Sequence, residues 1–270
     1  MTDYPLISIV VPTYNHAQYL PICLDGIWFQ DYPNIEIIVV NANSPDNTNE
    51  VLENYQSDVK NSRVSYASYF NEKTDEVERF YHDRYPKEGR RLEIVTLPSD
   101  PGLSETYNEG VRRAEGVYVT TIVSDDIPHP RMISRLAAAL DADYDFAYSD
   151  ELLVLDNGRV EREFIFPDFC PQRCLADWYL CGNSKLWRRS LHEKIGYFST
   201  QYPMTQDYEL FARFFMEGAK FIHVPEVLYS VRFHDHQRKT GNHTADREPK
   251  IFSESKDIAK RVREFLRGQP

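Results

Sequence analysis

Val117-Tyr118-Val119-Thr120-Thr121-Ile122-Val123 runs without a charge into Ser124-Asp125-Asp126 and then Ile127-Pro128. A short continuous apolar run of this kind predicts a strand buried on both faces. The strand delivers two adjacent carboxylates to the point where the chain opens to solvent. In an open α/β sheet, ligands bind in the crevice outside the carboxyl ends of the strands. Neighbouring carboxylates repel each other unless something cationic sits beside them. A divalent ion, Mn²⁺ or Mg²⁺, shared with substrate phosphates relieves that repulsion. The plainer alternative is that Asp125 and Asp126 cap a helix expected over Pro130–Leu140.

Working outward, the same grammar repeats. Leu6-Ile7-Ser8-Ile9-Val10-Val11-Pro12 is another buried strand, ending in the turn Thr13-Tyr14-Asn15-His16. A helix is expected over 17–30, with Tyr19, Leu20, Cys23, Leu24 and Ile27 at helical spacing. Ile35–Val40 is the next strand, and the loop Asn41-Ala42-Asn43-Ser44-Pro45-Asp46-Asn47 leads into a helix over 48–55. Leu92–Leu97 is the third strand, followed by Pro98-Ser99-Asp100-Pro101-Gly102 and a helix to Ala114. Strand–helix alternation predicts right-handed parallel crossovers. Thr13, Asn15, Asn41, Asp100 and the Asp125-Asp126 pair then share one rim, in a nucleotide-binding arrangement that lacks a glycine-rich phosphate loop. Residues 58–91 read as a surface insertion, with a charged helix over Glu72–Tyr81.

The second half has a different pattern. A strand is expected over 145–150 and a hairpin around Asn157-Gly158. Residues 166–187 are irregular, Met204–Leu210 opens an apolar helix that runs through Phe215, and strands are expected at 221–224 and 227–232. Residues 237–249 read as a polar loop. The tail carries Ile251, Ile258, Val262, Phe265 and Leu266 on one helical stripe. It is expected to pack on the body, with peripheral membrane attachment or a homodimer as the alternatives. These divisions suggest a nucleotide-binding half over 1–126, a second half over 127–243 and a terminal helix over 244–270, within one compact unit.

The chain has 270 residues, 41% hydrophobic and 27% charged, with a net charge of −11, so a nucleic-acid backbone is excluded as a partner. No apolar run approaches the roughly 20 residues of a membrane span, and no signal peptide is visible. Four cysteines, Cys23, Cys170, Cys174 and Cys181, fit a reducing cytoplasm as buried free thiols. The spacing of the last three matches no zinc site.

Taken in order, several stretches resemble an inverting glycosyltransferase of the large family 2, with the GT-A fold. They are Ile9–Asn15, Ile37–Val40 with its polar loop, Gly102-Leu103-Ser104 with Asn108 and Gly110, Ser124-Asp125-Asp126, Gln206-Asp207-Tyr208-Glu209-Leu210, and Leu228-Tyr229 with Arg232 and His234. The resemblance spans about residues 6–236. It implies a mixed, mostly parallel sheet with helices on both faces and a smaller acceptor-side subdomain. It implies a nucleotide-diphosphate sugar as donor, a saccharide or lipid-linked acceptor, and polysaccharide or glycoconjugate synthesis as the setting. The donor would lie against Pro12, Thr13, Asn15, Asn41, Asp100, Ser124 and Asp125. The metal would sit on Asp125, Asp126 and His234, and Asp207 would be the general base. Glu209 reads as structural. The acceptor is expected over Trp178, Asn183 and Trp187, since aromatic faces suit sugar rings.

Three positions depart from the family's pattern. Asn41-Ala42 stands where an acidic pair is usual, Val123 where the metal motif begins with Asp, and Gln206 where the last helix opens with an acid. A nucleotidyltransferase that joins a sugar phosphate to a nucleoside triphosphate, and a non-catalytic nucleotide-sugar binder or partner subunit, are the alternative readings.

Overall fold

A computed structural model describes residues 4–140, 143–234 and 248–268. The first half winds as β1 (Ile7–Thr13), α1 (Leu20–Trp28), β2 (Ile35–Asn41), α2 (Thr48–Asn61), β3 (Arg63–Asn71), β4 (Glu76–Asp83), β5 (Arg90–Thr96), α3 (Leu103–Arg113) and β6 (Tyr118–Thr121). The second half continues with β7 (Ile127–Pro128), α4 (Met132–Leu140), β8 (Phe146–Leu155), β9 (Val160–Phe164), a π-helical turn (Gln172–Asp177), β10 (Lys185–Arg188), α5 (Leu191–Ile195), α6 (Gln206–Met216), β11 (Phe221–Phe233) and α7 (Glu248–Gly268).

One sheet runs through both halves in the order β5-β2-β1-β6-β10-β8-β11-β7, with β9 paired to β8. β5, β2, β1 and β6 are mutually parallel. β10 is antiparallel to both β6 and β8, and so stitches the halves together. The sheet is mixed and mostly parallel, and helices cover both faces.

The reason lies in period-two alternation. Along β1, Ile7, Ile9 and Val11 face a core built with α1, α2 and α4, while Val10 faces a second core with α3 and α6. β2 does the same with Ile35, Ile37 and Val39 on one side and Ile38 and Val40 on the other. A strand apolar on both sides has only one stable place, the middle of a covered sheet. α3 lies so close to β1 that a Cβ on Gly110 would stand 2.2 Å from Val10 Cγ1. Registry keeps the strand ends level, with Thr13 opposite Asn41 and Asn41 opposite Thr96. The polar loops therefore open on one rim.

Several expectations change. The insertion is a β-hairpin, not a helix: β3 and β4 pair from Arg63 with Asp83 to Asn71 with Glu76, and Asp75 takes a left-handed turn at φ 58°. The charges suggested a solvated helix. The β-prone aromatics decide otherwise, since Tyr66, Tyr69 and Phe80 gather across the strands. α2 extends to Asn61, and the two strands expected at 221–232 are one strand, irregular between Val224 and Tyr229. The terminal stripe buries Ile258 and Val262 in the second core, against α6 and the π-helical turn. The loop expected over 237–249 falls almost entirely outside the described residues. Among the described residues, no helix is long and apolar enough to cross a membrane.

Candidate active site

The rim is assembled from four loops, each fixed by its own hydrogen bonds. After β1, Asn15 adopts φ 58°, and its N–H donates to Ser44 Oγ at 3.0 Å. After β2, Asn41 is fully buried: its carbonyl oxygen accepts from the N–H and hydroxyl of Ser44, and its amide donates to Asn49 at 2.8 Å. Asn41 was expected to touch the nucleoside. Its amide holds the β2 loop in shape. Before α3, the exposed Asp100 accepts the N–H of Gly102 at 2.8 Å, an Asx turn at the helix start. Thr13 is buried at the tip of β1, and Oγ1 has no hydrogen-bond partner among the described residues. Pro12 stays within the ladder opposite Val40.

The carboxylate pair at the end of β6 splits into two tasks. Asp125 turns one oxygen to His234 Nε2 at 3.0 Å and the other toward His16 Nδ1 at 3.8 Å. His16 is itself steadied by Ser124 Oγ, 3.0 Å from Nδ1. Burial works to raise the pKa of Asp125, but the His234 bond and the two nearby imidazoles outweigh it and hold the carboxyl below its ordinary value. Asp126 turns inward. Its oxygens accept the Tyr229 hydroxyl and the Arg232 N–H, both at 2.9 Å. Burial, then the neighbouring Asp125, pushes its carboxyl well above the ordinary range. Asp126 was expected to bind metal; both of its oxygens accept hydrogen bonds from β11, and the metal-type cluster gathers His16, Asp125 and His234. The guanidinium of Arg232 completes the brace by donating to the Asp125 carbonyl at 2.9 Å.

His16, Asp125 and His234 therefore form the candidate metal centre. Their donor atoms all lie within 4.8 Å of one another, two imidazole nitrogens and one carboxylate oxygen from three separate loops. This donor set fits a first-row divalent ion. His16 was missed in the sequence, where it read only as part of a turn. Its signal was its position, at the carboxyl end of β1 beside Asn15.

Asp207 stands in the first turn of α6. The favourable end of the helix dipole meets its charge there. Its side chain is 29% exposed, and one oxygen lies 3.9 Å from the ammonium of Lys185. Tyr107 of α3 is buried in the second core. Burial raises the pKa of this phenol, and the charges of Asp207, Asp126 and Asp125 raise it further. All three carboxylates are near enough for their charges to bear on that hydroxyl. Glu209, one turn face away, is buried and clamps Arg213 and Arg261.

The expected acceptor platform is corrected. Trp187 is fully buried and donates its indole N–H to His192 at 3.0 Å. Asn183 braces Glu151 through its N–H at 2.7 Å. Only Trp178 keeps an open face, 44% exposed and 6.2 Å from the Phe252 ring. The four cysteines are free, and Cys23, Cys174 and Cys181 are buried.

With this geometry in view, the chain's relatives can be placed. Residues 8–68 and 71–196 match the sequence profile of Glycosyl transferase family 2, and the chain belongs to that family. An uncharacterised glycosyltransferase of Rickettsia felis is 29% identical over 90% of this chain and 37% of its own length. Glycosyltransferase GlyG of Streptococcus pneumoniae is 25% identical over 84% of this chain and 70% of its own. The chain thus spans little more than a third of the Rickettsia relative. Among solved structures, S. aureus TarS 1-349 in complex with UDP-GlcNAc superposes with a TM-score of 0.68 at 19% identity, over 96% of this chain and 71% of that one. The mannosyltransferase PcManGT from Pyrobaculum calidifontis, with GDP-Man and Mn²⁺, superposes with a TM-score of 0.59 at 15% identity, over 100% of this chain and 77% of that one. The fold is GT-A.

Proposed function

We propose that this protein transfers a sugar from a nucleotide-diphosphate donor to an acceptor hydroxyl by a single inverting displacement, with Asp207 as general base. One observation supports the reading. His16, Asp125 and His234 gather three metal-type donors within 4.8 Å, and the charges of Asp207, Asp126 and Asp125 all bear on the buried Tyr107 hydroxyl, so a proton acceptor stands in the same neighbourhood. Inversion requires both, because the nucleophile approaches the face opposite the leaving group.

His16, Asp125 and His234 would hold the ion, and Mn²⁺ suits their mixed nitrogen–oxygen set better than Mg²⁺, which prefers oxygen and retains its waters. Such an ion supplies charge neutralisation for the departing diphosphate. The chain's own residues do the rest. Asn15, Thr13, Asp100 and Ser124 frame the nucleoside end. Asn41 keeps the β2 loop in place. Asp126 and Arg232 lock the Asp125 backbone so that its carboxylate is aimed before the donor arrives. Asp207 takes the acceptor proton as the new bond forms, a contribution worth about 10²–10⁴ in rate. The UDP-GlcNAc and GDP-Man complexes of the structural neighbours support a nucleotide-sugar donor. A saccharide or lipid-linked saccharide is the acceptor class we favour, in polysaccharide or glycoconjugate synthesis on the cytoplasmic side.

A thermal-shift series with UDP, GDP, dTDP and CDP, each with and without Mn²⁺, tests the donor half. Selective binding to the folded state raises the melting point by mass action. We expect one nucleotide to raise it, more so with Mn²⁺. No rise with any of the four would end the nucleotide-sugar reading.

A further inference from the structure

Lys185, the ion-pair partner of Asp207, has no part in the reaction above. It opens β10, where its carbonyl accepts the Thr120 hydroxyl at 2.5 Å and ties the residue to β6. Its side chain is only 5% exposed. The ammonium lies 5.3 Å from the centre of the Phe211 ring and 3.9 Å from Asp207 Oδ2. Glu151 is near enough for the Lys185 charge to oppose the burial that raises its pKa. A lysine ammonium carries three donors. Among the described residues it makes no hydrogen bond: the Asp207 contact is an ion pair beyond hydrogen-bond length. A nearly buried charge with its donors unspent is costly unless something else accepts them.

Resting on the transferase reading, we propose that Lys185 is an acceptor-positioning residue. Its ammonium donates to the hydroxyl adjacent to the nucleophile, while Asp207 takes the nucleophile's proton. The preferred acceptor then presents neighbouring hydroxyls, as a sugar ring does. Two adjacent oxygens bridge a nitrogen and an oxygen 3.9 Å apart without either side chain moving far. An anionic acceptor group is disfavoured, because it would meet the Asp207 carboxylate along with the ammonium. A lone alcohol satisfies Asp207 and leaves Lys185 unmatched.

The test uses small surrogate acceptors with the full-length chain, Mn²⁺ and the donor nucleotide sugar that the protein hydrolyses. Glycoside formation is measured by mass spectrometry as a ratio to donor hydrolysis, with 1,2-propanediol, 1,3-propanediol and 1-propanol. We expect 1,2-propanediol to exceed 1-propanol by about tenfold, the worth of one well-made hydrogen bond to a charged donor, with 1,3-propanediol behind it. Lys185→Met should erase the preference, acting on the KM of the diol. Lys185→Arg should restore part of it. Equal use of the three alcohols by the wild type, or a preference that survives in Lys185→Met, would overturn the proposal. A wild type that hydrolyses no nucleotide sugar would instead overturn the transferase reading beneath it.

Discussion

At the residue scale, two neighbours that look equivalent in the sequence divide the labour. Asp125 faces His16 and His234, and Asp126 is consumed by Tyr229 and Arg232. Their alanine variants should therefore fail differently. Asp125→Ala should lose Mn²⁺ binding by at least about tenfold, read by electron paramagnetic resonance titration, with little loss of melting temperature. Asp126→Ala should unfold more easily by about 1–3 kcal/mol, because it strands a buried tyrosine hydroxyl and a backbone N–H. His16→Ala should weaken Mn²⁺ affinity by about 10–100-fold without altering the fold, since its ring is partly exposed. Affinity unchanged in His16→Ala would remove that residue from the metal centre. The sequence offered Asp125 at the end of a strand and Asp207 at the start of a helix, and the family resemblance added His234. It could not reveal that Asp126 points inward. That depends on β11, more than a hundred residues away, supplying both partners.

At the element scale, the pattern of apolar strands was legible because both faces of β1 and β2 are buried, and only a covered parallel sheet accommodates that. The insertion was not legible in the same way. The residues of β3 and β4 are almost all exposed, so neither burial nor amphipathic spacing distinguishes helix from hairpin there, and cross-strand aromatic pairing decides. The tight seat of α3 gives a sharp test. Gly110→Ala forces a methyl against Val10, and overpacking of this kind costs about 1–3 kcal/mol in denaturant unfolding. Adding Val10→Ala should recover part of that loss. α5 gives a second. His192 accepts the Trp187 indole N–H at Nε2 and donates from Nδ1 to the Gly196 carbonyl, so the neutral ring is the one that fits. Burial pulls its pKa from 6.5 to about 4. The neutral ring is favoured by folding, so this contribution is complete above the unfolded value and is lost as pH falls through the window from 6.5 to about 4. The loss should approach about 3 kcal/mol at the acid end. His192→Gln should flatten that part of the stability–pH curve, and an unchanged slope would refute the assignment.

At the scale of the whole molecule, one sheet serves two functions. The parallel half gathers the loops after β1, β2, β5 and β6 on one rim, and β10 carries the sheet across to the elements that bear Asp207. The terminal helix closes the far side, where Arg261 joins Glu209 just behind Asp207 on α6. The resemblance of the ordered motifs to family 2 was visible because each lies at a loop that the fold cannot move. The acceptor side was not visible, because Trp187 looks like a sugar platform in sequence and is a core residue in the structure.

The central claim is that Asp207 receives the acceptor's proton. Turnover of the identified nucleotide sugar, measured for the wild type and Asp207→Asn at saturating Mn²⁺, tests it directly. The expected outcome is a fall in kcat of about 10²–10⁴, with the nucleotide's thermal shift intact. A variant that turns over donor as fast as the wild type would contradict it.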